Sequence, residues 1–304
     1  MIRIDQDLSE RDIRSPESRQ SVVRVDDQDD RSWLLEKPIC SALDRLGIAH
    51  VGVAYAQSPF EIVRTQLSGA YFLACFGGQG QVLVSGRWQP CGAGQAFLLP
   101  AGTLHAFWAE RHWDFCWVRY QGRSRTDVVN DSVQTSPIRG SYDVEPLRSA
   151  ILGLHAECSG EAVEERAQLW VELLDSYLRS FIRPHGIDRR LQSSWDRVSG
   201  DLGGEWSVDR MARLAHMSSK HFERLCKRDL GRSPRQHLIW LRMRQAAQLL
   251  SETDRTIEFI ADAVGYENAF VFSTTFKRVM GWAPSRYPGR QRRRVSPCEP
   301  RSLR

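Results

Sequence analysis

Short segments that alternate between apolar and polar residues fill the chain from about residue 33 to residue 121. The segments typical of strands are 71–76, 81–85, 95–99, 105–108 and 112–120. Two of the intervals between them, 77–80 and 100–103, consist of turn-forming residues and predict hairpins. Many short strands at this spacing are typical of a small β-barrel or sandwich.

Residues 143–182 change to helical periodicity. In the second predicted helix, apolar residues follow one another at steps of three and four: Val163, Ala167, Trp170, Leu174, Tyr177 and Phe181. Such a stripe has two interpretations. It can pack on the barrel, or it can pair with a second subunit.

The last third of the chain contains an internal repeat. Residues 222–234 and 272–284 share the skeleton Phe-x4-Lys-Arg-x2-Gly-x2-Pro, fifty residues apart. Two copies are too few for a solenoid, so they indicate two similar helical units, each with a basic helix. A long helix that starts at Pro234 and runs to about residue 250 joins them.

Each unit predicts a short supporting helix followed by a helix with two chemically different faces. In the first unit, Ser218 or Ser219 can cap the second helix and Gly231 can end it. Its apolar side consists of Phe222, Leu225 and Cys226, and its polar side of Lys220, Glu223, Arg224 and Lys227. In the second unit, Gly265 permits the turn and Asn268 caps the helix. The inner side there consists of Phe272, Phe276 and Val279, and the outer side of Phe270, Ser273, Thr274 and Lys277.

Composition divides the chain further. Residues 1–32 are charged and poor in large apolar groups, which predicts a flexible arm. Pro184 and Gly186 indicate a linker over 184–190, and a basic tail over 290–304 is predicted to be disordered. The remaining predicted regions are a strand-rich domain at 33–140, a helical dimerisation or packing segment at 141–183 and a basic domain at 191–289.

Charge is unevenly distributed although the net charge is only +5. From Arg189 to the end, the chain has 23 Lys and Arg against 12 Asp and Glu, whereas acidic residues are in excess before it. Only the basic part is therefore expected to meet a polyanion.

The seven cysteines are scattered and include no Cys-x2-Cys pair, which argues against a zinc site or a disulfide framework. The first ten residues lack the layout of a signal peptide, and no apolar run reaches the length of a membrane span. We therefore expect a cytoplasmic protein that is not in a membrane.

Residues from about 190 to 287 resemble the DNA-binding domain of the AraC/XylS transcription regulators. The stretches that carry the resemblance are 211–215 (MARLA), 222–228 (FERLCKR), 242–246 (RMRQA), 257–266 (IEFIADAVGY) and 272–286 (FSTTFKRVMGWAPSR). The resemblance implies about seven helices with two helix-turn-helix units, whose second helices enter successive major grooves of double-stranded DNA.

The same resemblance assigns residues to DNA contacts. Carried over by position, the base-reading residues are Lys220, Glu223 and Arg224 in the first unit and Asn268, Phe270, Ser273 and Thr274 in the second. Thr274 stands where an Arg is common in related proteins, so the second unit either touches a thymine methyl through Phe270 or binds mainly the backbone. Lys227, Lys277 and Arg278 are expected at phosphates.

Residues 59–121 also resemble, less strongly, the cupin-type sensor domain of sugar-responsive members of the family. The resemblance rests on Gly78-Gln-Gly80, Gly86, Gly94, Leu98-Leu-Pro100, Gly102 and His105. It implies an α+β chain of two domains, in which a cupin-like β-barrel holds a small effector. The effector-binding residues it suggests are Arg64, His105, Phe107 and Trp113.

A metal site or a cofactor is not expected, because metal-dependent cupins group several histidines and His105 has Phe107 two residues on. The leading prediction is a non-enzymatic, effector-responsive regulator that activates genes for sugar or related carbon-source metabolism. A homodimer is expected, and contact with RNA polymerase is possible. The alternatives are a cupin-fold enzyme with a DNA-binding tail and a constitutive DNA-binding protein whose barrel only dimerises.

Overall fold

The computed structural model describes residues 10–65, 69–84, 87–99, 104–121, 142–182 and 188–287. These residues form two units: the first comprises the residues up to Asp188 together with Lys227–Arg232, and the second comprises Arg189–Cys226 and the residues from Ser233 onward. The first is a curved β-sheet covered by helices, and the second is helical, so the predicted α+β class is confirmed. Within the described ranges, no helix is long and apolar enough to cross a membrane.

One eight-stranded antiparallel sheet makes up the first unit. Its strands are β1 (Arg11–Arg14), β2 (Arg19–Arg24), β3 (Ile48–Gln57), β4 (Phe60–Arg64), β5 (Tyr71–Val84), β6 (Arg87–Gly92), β7 (Ala96–Leu99) and β8 (His105–Tyr120). The strand order is β1-β4-β8-β3-β2, and β5 pairs with β6, β7 and β8. A 3-10 helix, Ser41–Leu46, precedes β3.

Both predicted hairpins are wrong. The glycines at 77–80 lie inside the continuous strand β5, where register shifts after Cys75 and after Gly78 bend it along β8. Glycine is needed here for close approach, since a side chain at Gly80 would overlap the ring of Trp113. Strand β7 pairs with β5 rather than with β8, and the predicted turn at 100–103 lies outside the described residues.

The prediction of a flexible arm over residues 1–32 is wrong for two segments. Strand β1 pairs with β4, and β2 pairs with β3. Val22 and Val23 of β2 are fully buried, so their burial offsets the entropy of ordering a charged stretch. Residues 1–9 lie outside the described ranges.

Two antiparallel-packed helices, α1 (Glu145–Ser159) and α2 (Glu164–Ile182), cover one face of the sheet. Ala167, Leu174 and Phe181 of the predicted stripe are buried, which confirms that the stripe packs on the barrel. Two other residues of α2 face outward instead: Leu169 is 61% exposed and Leu173 is 44% exposed. The predicted linker, apart from Asp188, Arg189 and Arg190, and the predicted basic tail lie outside the described residues.

Six α-helices and one 3-10 helix occur in residues 188–287 of the described chain. They are α3 (Arg189–Ser199), α4 (Val208–Leu214), α5 (Ser219–Leu230), α6 (Pro234–Glu252), α7 (Ile257–Ala263), α8 (Ala269–Met280) and the 3-10 helix Pro284–Arg286. The first copy of the repeat thus belongs to the helix pair α4 and α5, and the second copy to the pair α7 and α8. Helix α6 lies between the two pairs.

The end signals of the repeat function as predicted. Ser218 Oγ accepts from the backbone N–H of His221, and Asn268 Oδ1 accepts from the N–H groups of Phe270 and Val271. Gly231 and Gly281, which follow α5 and α8, have φ values of 65° and 86°. A capping box between Ser233 and Gln236 begins α6.

One arginine of α6 connects the loop after α3 to the turn between α7 and α8. Arg242 donates from Nε to the carbonyl of Leu202 at 2.9 Å, from Nη2 to Gly204 at 2.8 Å and from Nη1 to Gly265 at 3.1 Å. Gly265 has a φ of 74° and forms that turn. Arg242 thus adds three hydrogen bonds to the apolar packing that positions α8 against α6.

Candidate functional site

A pocket opens within the first unit, on the sheet face opposite α1 and α2. Its volume, measured for the centre of a water-sized molecule, is about 20 Å³. Its lining divides into four arginines, four ring-bearing polar residues and an apolar wall. The lining comprises Arg14, Arg31, Arg64 and Arg119; Trp33, His50, Tyr71 and Trp117; and Ala54, Phe60, Ile62, Phe107 and Phe115.

The arginines share a small number of acidic partners. Asp12 accepts from Nε of Arg14 at 2.7 Å and also pairs with Arg64. Asp29 accepts from Nε of Arg31 at 2.7 Å and from Nη1 of Arg119 at 3.3 Å. Each aspartate thus serves two guanidinium groups.

Buried positive charge changes the acid–base properties of the pocket. Burial lowers the pKa of Arg14 and of Arg119, although the neighbouring aspartates act in the opposite direction. Burial and the charges of Arg119 and Arg31 hold the pKa of His50 well below its ordinary value. His50 is therefore neutral at neutral pH.

The proton of His50 can be placed from its partner. The indole Nε1 of Trp117 can only donate, and it lies 3.0 Å from Nδ1 of His50. Nδ1 is then the acceptor, and neutral His50 carries its hydrogen on Nε2. Nε2 lies 3.3 Å from Nη2 of Arg31, which is also a donor. Two donors consequently face each other at the pocket wall.

Of the four predicted effector-binding residues, the structure places two in the pocket. Arg64 and Phe107 line it, whereas His105 and Trp113 are buried outside its lining. Trp113 extends over Gly80, and its indole Nε1 donates to Sγ of Cys75 at 3.2 Å. Trp113 is therefore part of the hydrophobic core rather than of the pocket wall.

Several lining residues were missed. Alternation along β8 puts Arg119 on the same face as Phe115 and Trp117, and this signal was present in the sequence. Arg14 and Arg31 come from the segment predicted as an arm, and only the pairing of β1 with β4 brings Arg14 opposite Phe60.

Gly52 of β3 allows Trp117 to reach His50. A Cβ at Gly52 would overlap the indole of Trp117 and lie 2.8 Å from the backbone oxygen of Ser21. We expect Gly52→Ala to lower the free energy of unfolding by about 1–3 kcal/mol, because the ring or the neighbouring strand must shift. Denaturant unfolding followed by tryptophan fluorescence measures the loss.

Gly92→Ala is the matched control for that change. A Cβ at Gly92 meets no atom closer than 3.8 Å, and the residue also lies in a strand. Equal stability losses for the two variants would contradict the assigned role of Gly52.

The exposed face of α5 carries charged residues. Lys220, Glu223 and Arg224 are exposed, whereas Phe222, Leu225 and Cys226 are buried, as the predicted faces require. Nη2 of Arg224 lies 3.0 Å from Nδ1 of His221, one turn before it. The outward face of α5 is therefore chemically equipped for hydrogen bonding to a polar groove.

The corresponding face of α8 is largely apolar. Phe270 is 79% exposed and Val271 is 51% exposed, while Thr274 supplies one hydroxyl. Asn268 uses its Oδ1 as the helix cap, which leaves only its NH2 group for other contacts. Lys227, Lys277 and Arg278 are exposed near the ends of the two helices.

Within the described residues, no three His, Cys, Asp or Glu side chains group as metal ligands.

Two family models match the chain. One, described as "Helix-turn-helix domain", matches residues 211–292, and one described as "AraC-like ligand binding domain" matches residues 57–182. The MmsAB operon regulatory protein of Pseudomonas aeruginosa is 30% identical over 72% of this chain and 74% of its own. The chain belongs to the AraC family of transcription regulators.

Other AraC-family proteins resemble the chain over different lengths. The lactose operon transcription activator of Staphylococcus xylosus is 24% identical over 69% of this chain and 80% of its own. A solved AraC-type DNA-binding domain from Chromobacterium violaceum is 27% identical and covers 36% of this chain and 96% of its own, with a TM-score of 0.33. The AraC-family chain thus combines a ligand-binding domain with a DNA-binding domain.

Proposed function

We propose that this AraC-family regulator responds to a small effector bound in the pocket of its β-sheet and activates genes for the use of a carbon source. The observation that carries the proposal is the pocket itself, where donors and aromatic rings converge in the ligand-binding domain. The name of one relative, the lactose operon transcription activator, supports an operon for the use of a carbon source as the target. A sugar as the effector stays a prediction.

DNA reading is proposed to depend mainly on α5. Arg224 is suited to guanine and Glu223 to cytosine, and Lys220 lies on the same exposed face. In α8, Phe270 can contact a thymine methyl, with Ser273 and Thr274 as the polar residues beside it. Lys227, Lys277 and Arg278 are proposed to contact phosphates.

A homodimer and a contact with RNA polymerase also stay predictions. The stripe first considered for subunit pairing is occupied by the sheet. Leu169 and Leu173, one turn apart on α2, are two exposed apolar residues available for such a contact. Sedimentation of the wild type and of Leu173→Glu would test the dimer.

Selection from a random duplex library by the full-length protein tests the DNA proposal. We expect a site with two elements about one helical turn apart, and stricter base preference in the element bound by α5. The control is the triple variant Lys220→Ala, Glu223→Ala, Arg224→Ala, which keeps the buried side of α5. Equal enrichment by the wild type and the triple variant would contradict the assignment of α5.

Effector response is tested on the selected site. A compound that binds the pocket is expected to change the affinity for that site by about 5–150-fold, the range of ordinary allosteric coupling. The compounds to test are L-arabinose, D-galactose, lactose, propionate and benzoate. The binding of each compound to the protein is measured first without DNA. A compound that binds the pocket and leaves DNA affinity unchanged would favour the constitutive alternative.

A further inference from the structure

The pocket carries more positive charge than its acidic partners neutralise. Four guanidinium groups line it, and among the described residues their ion pairs involve only Asp12, Asp29 and Glu10. Glu10 lies at the edge, with a side chain 52% exposed, whereas that of Arg64 is 7% exposed. The described side chains therefore leave a net charge of at least +1, partly shielded from water.

Unused hydrogen-bond donors lie beside this charge. Nε of Arg119 and Nε1 of Trp33 are buried and have no hydrogen-bond partner among the described residues. Nη2 of Arg31, which also donates to Oδ2 of Asp29, lies 3.3 Å from Nε2–H of His50, so a second hydrogen on Nη2 and the Nε2–H face each other. One oxygen that accepts from both would resolve this contact, because an acceptor between two donors replaces repulsion by two hydrogen bonds.

The remaining wall is apolar. Phe60, Ile62, Phe107 and Phe115 face the pocket, and the guanidinium of Arg14 lies over the Trp33 ring at 4.0 Å. A ligand that matches this lining carries a single negative charge at one end and a short apolar body at the other. A neutral sugar satisfies some donors but leaves the excess charge uncompensated.

We propose that the pocket binds a small organic monocarboxylate, with one carboxylate oxygen between Nη2 of Arg31 and Nε2 of His50 and the apolar body against the Phe60–Phe115 side. The proposal rests on the proposed function in that it assigns the chemical class of its effector. Arg119 and Trp33 offer further donors to the same carboxylate. The orientation of His50 depends on Trp117, which acts as a positioning residue.

Ligand binding to the full-length protein without DNA tests the proposal. Trp33 and Trp117, two of the ten tryptophans, line the pocket, so a change in intrinsic fluorescence reports binding and isothermal titration calorimetry gives the affinity. The probes are acetate, propionate and benzoate, with acetamide, propionamide and benzamide as neutral matches and sodium chloride at equal ionic strength as the salt control. We expect each acid to bind about tenfold or more tightly than its amide, because hydrogen bonds from charged donors to a carboxylate are roughly twice as strong as neutral ones.

Variants locate the site. Arg31→Gln keeps a polar side chain at a partly exposed position and is expected to reduce the affinity for the acids to that for the amides. Arg24→Gln is the matched control, since Arg24 is buried in the same domain, donates to the carbonyl of Lys37 and does not line the pocket. Preferential acid binding should survive in the control variant.

Three outcomes would overturn the proposal. Acetate is small enough to reach the donors whatever body the natural ligand has, so its failure to bind even at high millimolar concentration contradicts the site. Binding of L-arabinose or inorganic phosphate that is tighter than that of the acids and is lost in Arg31→Gln contradicts the ligand class. Acid binding that Arg31→Gln leaves unchanged contradicts the location.

The failure of this proposal is distinct from failure of the regulatory one. Acid binding without any effect on DNA affinity would leave the carboxylate site standing and contradict effector response. A neutral sugar that binds the pocket and changes DNA affinity would support effector response and contradict the carboxylate site.

Discussion

Arg242→Met is expected to lower the free energy of unfolding of the helical unit by about 2–4 kcal/mol. The side chain donates to the carbonyls of Leu202, Gly204 and Gly265, and hydrogen bonds from charged donors contribute about 1.5–3 kcal/mol each when buried. Water reaches part of the guanidinium, so the loss is smaller than the full sum. Methionine keeps the length of the stem and removes only the donors.

The same change should weaken DNA binding. Gly265 forms the turn that precedes α8, and Arg242 connects this turn to α6 and to the loop after α3. When the connection is lost, the turn before α8 and the loop after α3 together lose three hydrogen bonds, and α8 is held in place by its apolar packing on α6 and α7. Arg242→Lys should restore little, because one ammonium group cannot reproduce the planar fork of a guanidinium.

Chemical denaturation and affinity for the selected DNA site measure the two effects. Arg235→Met is the control, since Arg235 is exposed near the start of the same helix. It should change stability by less than about 0.5 kcal/mol. Comparable losses in the two variants would mean that charge on α6, rather than the three carbonyl contacts, matters.

Arg224→Ala is expected to cost about 1–3 kcal/mol of binding free energy at the selected site, or roughly 5–150-fold in affinity, and to relax preference at one base position. The guanidinium is exposed on the outward face of α5, and His221 lies 3.0 Å from it. A bidentate contact with guanine uses both of its outer nitrogens. Competition binding against every substitution of the site gives the loss at each base position.

Lys227→Ala provides the contrast. Lys227 is exposed towards the end of α5. Loss of a phosphate contact there would weaken binding to all sequences alike. It would also reduce the slope of log affinity against log salt concentration by about 1. If Arg224→Ala gave the same uniform loss, Arg224 would be a phosphate contact and the base-reading assignment would be wrong.

Helical parts of the chain were predicted well because their signals are local. Helix caps, glycine ends and the three-and-four spacing of Phe222, Leu225 and Cys226 all lie within one or two turns of each other. The stripe on α2 illustrates the limit. Its periodicity predicted a buried face correctly but could not tell whether a sheet or a second subunit would bury it.

Strand pairing was predicted less well. The glycines at 77–80 suggest a turn locally, yet they lie in β5 because the bulky rings of β8 need space beside them. The partner that sets their role is remote in sequence. The partners of β1 and β2 are also remote in sequence. Their charged sequences do not indicate strands, yet they form edge strands of the sheet.

The sequence by itself therefore determined the two-domain α+β organisation, the paired helical units and the faces of α5 and α8, because each depends on neighbours a few residues away. Only the tertiary structure decided the composition of the pocket. Arg14, Arg64 and Arg119 lie on β1, β4 and β8, and the long-range pairing of these strands with β3 brings them to the pocket of His50. Arg31 comes from the stretch between β2 and β3. Charge can accumulate at such a place without any local trace in the sequence, since each arginine alone is unremarkable and only their convergence in a partly dry space creates a site for an anion.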